Sequence, residues 1–140
     1  MKPDAVAAIA TVILLFPMGY FLLASPAFLF VKLDIQPVAL LLRGLFKAYF
    51  LMMGIVGVIG TVAFVAAGRP VFAVGIGLIA AFAIWGGRWF LRQMDAQLTS
   101  GDAAAARRLR RLHWGGMLCN VIQLAAIVSC IPYVFVTSAA

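Results

Sequence analysis

Charge in this chain is confined to a few short bands, and the four stretches between those bands are almost uninterruptedly apolar. A water-soluble domain must place charged or polar residues on every helix that faces water. With 66% hydrophobic residues and a mean hydropathy of +1.12, the main solvent expected for this chain is lipid. A spanning helix needs roughly 20 apolar residues, and spans are predicted at about 5–31, 40–67, 71–94 and 104–136. In 140 residues this leaves room for one domain and no separate soluble module. The connections are short, so successive helices should be antiparallel neighbours in an all-α, four-helix up-down bundle. The first apolar run is longer than the h-region of a signal peptide, and apolar sequence resumes after Ala24-Ser25-Pro26-Ala27. A retained first helix is therefore expected rather than a cleaved leader.

The basic residues give an orientation. Lys32, Arg43 and Lys47 lie around the first connection, and Arg88, Arg92, Arg107, Arg108, Arg110 and Arg111 flank the third. Only Lys2 and Arg69 lie on the other side. Lysine and arginine are retained in the cytoplasm, so both odd-numbered connections should be cytoplasmic, both termini outside, and the membrane a cytoplasmic (inner) one. The arginines of the third band should meet lipid head groups or a partner. Trp85, Trp89 and Trp114 beside them suit the head-group level. A net charge of +7 could otherwise suggest nucleic acid, but no soluble reader fold accompanies it.

Lipid is as apolar as leucine, so helices associate through close approach and interhelical hydrogen bonds. Gly54, Gly57 and Gly60 recur every three positions, and Ala73, Gly77 and Ala81 every four. Both sets mark faces for partner helices, within the bundle or between copies. Pro17 and Pro132 fall inside helices and should kink them. In the third connection, Ser100 or Asp102 can cap the last helix, and Arg92 can pair with Asp95 three residues on. Leu109, Leu112 and Gly116 form an apolar seam.

The polar residues needing an account are His113, Asn120 and Gln123. At 100° per residue they form one stripe, with His113 and Asn120 about 20° apart and Gln123 about 60° beyond. Such a stripe should face the bundle interior, where two readings are open. The amides could bond across helices, with His113 at the boundary in reach of water, or the stripe could bind a small hydrophobic ligand, haem or copper. In the second case Met18, Met52 or Met53 on another helix could add a soft ligand. Which cofactor, if any, is not specified by the residues. Catalysis is poorly provided for, since the chain has no glutamate and its four aspartates lie outside the predicted spans. Cys119 and Cys130 share a helix face roughly 16 Å apart, too far to bridge.

The run Arg110-Arg111-Leu112-His113-Trp114-Gly115-Gly116-Met117-Leu118-Cys119-Asn120-Val121-Ile122-Gln123-Leu124 resembles the last-helix signature of the small four-helix membrane proteins of domain-of-unknown-function family 4149, similar to transmembrane protein 205. Ser25-Pro26-Ala27-Phe28-Leu29-Phe30 and Leu45-Phe46-Lys47-Ala48-Tyr49-Phe50 resemble that family's end of helix one and start of helix two. By this resemblance the matched positions are Pro26, Phe46, Tyr49, His113, Asn120 and Gln123. Trp114 and Gly115 replace the arginine and serine that often follow the histidine, which depletes a polar site there. The resemblance implies a four-helix membrane fold and assigns no activity. A looser likeness to membrane copper-resistance and porphyrin-oxidising proteins keeps the metal and haem alternative open. Taken together, these features lead us to expect an accessory, assembly or packing subunit of a membrane complex, without intrinsic catalysis.

Overall fold

A computed structural model describes residues 3–136, with side chains from 5 to 134; Lys2 and the last four residues lie outside this range. Helix α1 (Pro3–Ala24) passes into one 3-10 turn (Ser25–Leu29), and α2 covers Gln36–Ala66. Helix α3 (Pro70–Ala81) continues through a π-turn (Phe82–Gly86) into α4 (Gly87–Ser100), and α5 covers Ala105–Val136. Four helical rods result, each long and apolar enough to cross a membrane. They pack as an up-down bundle.

Local chemistry sets the ends. Pro37 and Pro70 occupy first-turn positions, where the missing N–H costs nothing. Gly68 and Gly101 take positive φ values of 70° and 61° after α2 and α4, which glycine does without steric penalty. Asp102 closes the turn that leads into α5, its Oδ1 accepting from the Ala104 amide at 3.2 Å. The helices run unbroken through Pro17 and Pro132.

Buried positions repeat every three or four residues along the first three rods and along α5 as far as Asn120. On α3–α4 they are Ala73, Ile76, Ala80, Ala83, Gly87, Phe90 and Met94. That 3.5-residue repeat is the seam of a left-handed bundle. Helix α2 is central, packing on α1 and on the α3–α4 rod, while α5 packs on α1 and on α4. The outward faces carry exposed Leu23, Val62, Val71 and Leu78 among many large apolar residues, as lipid contact requires.

The glycine face of α2 is used inside the chain. A Cβ at Gly57 would sit 2.8 Å from the Ala80 Cβ, and Cβ atoms at Gly54 and Gly60 would each lie 3.4 Å from Ile84 and Ile76. Close approach of α2 to α3 therefore depends on missing side chains. The opposing residues on α3 are Ile76 and Ala80; Ala73 is buried farther along the helix, Gly77 lies beside Thr61, and Ala81 is only partly buried. Two further glycines, Gly116 on the apolar seam of α5 and Gly87 at the start of α4, pack as tightly. A Cβ at Gly116 would overlap the Phe46 ring, and one at Gly87 would meet Phe50 at 2.8 Å.

Candidate functional site: a polar stripe and an open seam

The stripe on α5 divides into a closed half and an open half. His113 is 0% exposed, which corrects the expectation that water reaches its ring at the boundary. Its Nε2 lies 2.6 Å from the Ser25 Oγ on the 3-10 turn, and its Nδ1 has no partner among the described residues. Phe28 and Phe46 stand edge-on to the imidazole with centroids 6.2 and 6.1 Å away. The 3-10 turn, begun by Pro26 at a position where a proline fits, is what brings Ser25 inward.

One heptad deeper, Asn120 is 1% exposed and bonded on both sides of its amide. Its Oδ1 accepts from the Tyr49 hydroxyl at 2.8 Å, and its Nδ2 donates to the Met18 carbonyl at 3.2 Å. One side chain thus joins α5 to both α2 and α1. Phe21 packs between these two polar links, 4.3 Å from the Tyr49 ring and 5.1 Å from Phe46. Pro26, Phe46, Tyr49, His113 and Asn120 thus all lie in or beside this cluster. Met18 and Met53 are core residues, while Met52 faces outward. Among the described residues, no three or more His, Cys, Asp or Glu side chains gather as a metal would require.

Gln123 does not join the cluster. Its side chain makes no hydrogen bond to any other described residue and instead lines a cleft of about 360 Å³ between α3 and α5, floored by Leu14 and Phe64. The heptad register explains why. Leu109 and Gly116 begin one seam on α5, and both are buried. The next positions on that seam, Gln123 and Cys130, are half-buried and exposed. The seam is filled near the basic end and vacant farther along, because α3 and α5 hardly touch there. Arg69, between α2 and α3, donates to the Val134 carbonyl and ties the far end of the cleft. Of the most apolar stretch of α5 only 17% is buried, against 39% in α1 and in α2.

The basic band also divides. Arg43 grips the Asp95 carboxylate with two nitrogens, one of them at 3.0 Å, so Asp95 pairs across helices and not with Arg92. Arg110 donates to the Leu29 and Val31 carbonyls at 3.0 Å each, closing the open C-terminal end of the 3-10 turn. Arg108 pairs with Asp102. The Ala104 amide first, and Arg108 second, hold the Asp102 carboxyl below its usual range. Arg88, Arg92, Arg107 and Arg111 remain exposed. Both cysteines are free thiols.

No family model, curated protein or solved structure matches this chain.

Proposed function

We propose that this protein is an accessory or assembly subunit of a membrane complex, and that the α3–α5 cleft receives a transmembrane helix of a partner. The observation carrying this reading is Gln123, an amide inside an apolar span with no hydrogen bond to the described residues, on a seam that is vacant at its own depth. An amide in hydrocarbon needs a partner, and a helix seated in the cleft would supply one while filling the seam. The Asn120 amide and the Nε2 of His113 are taken up within the chain, which supports packing over ligand capture at these groups. In this reading the protein carries out no reaction itself.

The orientation belongs to the same proposal. The basic ends of α2, α4 and α5 face the cytoplasm across an inner membrane, and both chain ends face away from it. The likeness to family 4149 would then reflect the shared cluster around Phe46, Tyr49, His113 and Asn120. Native electrophoresis of mildly solubilised membranes tests the assignment. The wild type should migrate in an assembly well above 15.0 kDa, and Gln123→Leu should release the free chain without unfolding it. Unchanged migration of Gln123→Leu, or a wild type that migrates only as the free chain, would overturn the proposal.

A further inference from the structure

We infer that a second groove, between α2 and the π-turn with the start of α4, holds an acyl chain of an anionic glycerophospholipid whose phosphate is gripped by Lys47 and Arg88. The groove measures about 650 Å³ and is lined by apolar side chains except at one end, where Lys47 and Arg88 stand. Gly54 and Gly87 line it without side chains of their own, and the half-exposed Val58 and Ile59 line the far end. No carboxylate lines it.

The register places the two cations together. Gly57 opposes Ala80, and Gly87 opposes Phe50. Lys47 and Arg88 therefore leave antiparallel helices at nearly the same level. From Lys47 to Ile59 the groove runs about 18 Å along α2, close to the roughly 15 Å of one leaflet's hydrocarbon. Its charged end falls where Trp85 and Trp89 are exposed, and indoles favour the head-group level. Arg43, Arg108 and Arg110 are occupied within the chain, whereas Lys47 and Arg88 form no ion pair with a described residue. An apolar slot of one-leaflet length with two uncompensated cations at its mouth matches a lipid that brings net negative charge. A second copy packed on the same face by two-fold symmetry would set these cations against each other.

Native mass spectrometry of the full chain, titrated with phosphatidylglycerol or phosphatidylcholine, tests the inference. The wild type should retain one phosphatidylglycerol in clear preference to phosphatidylcholine. Lys47→Gln and Arg88→Gln should each weaken phosphatidylglycerol retention about fivefold, with little change for phosphatidylcholine. The pair Arg107→Gln/Arg111→Gln, outside the groove, should leave retention unchanged. Val58→Trp, at a half-exposed position, should fill the far end and reduce occupancy by both lipids while thermal unfolding stays as in the wild type. Equal retention of the two lipids, equal losses in the control pair, or full occupancy in Val58→Trp would each overturn the inference. So would a wild-type dimer that Val58→Trp converts to monomer, since the groove would then be an interface between copies.

Discussion

Replacing Asn120 by leucine should cost about 2–3 kcal/mol of bundle stability. The substitution removes two interhelical hydrogen bonds, worth on average about 0.6 kcal/mol each inside a membrane protein. It also strands the Tyr49 hydroxyl, whose bond in this cluster is to Asn120, and a buried unsatisfied donor costs about 1–3 kcal/mol. Leucine restores the volume, so cavity formation adds little. If the stranded hydroxyl is the main penalty, Tyr49→Phe in the Asn120→Leu background should return about 1 kcal/mol. In the wild type the same Tyr49→Phe change should destabilise, because it leaves the Asn120 Oδ1 unpaired. Reversible unfolding of the four variants in bicelles, followed by helical circular dichroism, gives the double-mutant cycle. Additivity within about 0.3 kcal/mol, the level expected of independent sites, would refute the claim that this link holds α2 to α5.

Gly116→Ala should destabilise the bundle by about 1–2 kcal/mol. Its new Cβ overlaps Phe46, which Phe21, Phe90 and His113 hem in, and overpacking of about 1–3 kcal/mol exceeds the helix-propensity gain of about 1. Gly19→Ala, with no neighbour within 4 Å, is the matched control and should be neutral or stabilising in the same assay. Arg110→Gln should speed amide hydrogen exchange around the end of the 3-10 turn, since it removes two donors from the Leu29 and Val31 carbonyls; exchange rates equal to the wild type would count against the strap. The Asp102 carboxyl sits below its ordinary value of 3.8, so its contribution to the α4–α5 turn is fully present above that pH. The contribution fades as acid drives the pH through the lowered folded value, and exchange of the Ala104 amide against pH should show protection lost only on that acid side.

The four rods and their antiparallel order were legible because hydrocarbon leaves so few ways to satisfy a backbone. The glycines at 54, 57 and 60 were legible as a packing face for the same reason, but their opposing residues were not. A repeat of four through Ala73, Gly77 and Ala81 drifts about 40° per step around an α-helix, whereas the buried residues follow the 3.5 repeat of a supercoiled bundle and select Ala80. Asn120 could be read as an interior amide from its type alone. Ser25 could not be found as the His113 partner, since a 3-10 turn at Pro26 leaves no periodic signal. The position of His113 beside a basic band suggested water, yet Phe28 of the 3-10 turn and Phe46 of α2 stand over the ring, which is fully buried. The separation of Gln123 from Asn120 was present in the sequence as a heptad phase: 116, 123 and 130 form one seam, while 113, 120, 127 and 134 form the other. What the sequence could not supply is that α3 leaves the first seam uncovered.

Site-specific photocrosslinking in native membranes tests the partner-helix account most directly. A photoreactive residue at Ala126, which lines the cleft, should yield a discrete adduct that Gln123→Leu abolishes. The same probe at Val128, nearly level with Ala126 and half-exposed on another side of α5, should yield none. Equal crosslinking from the two positions, or an Ala126 adduct indifferent to Gln123→Leu, would contradict the account.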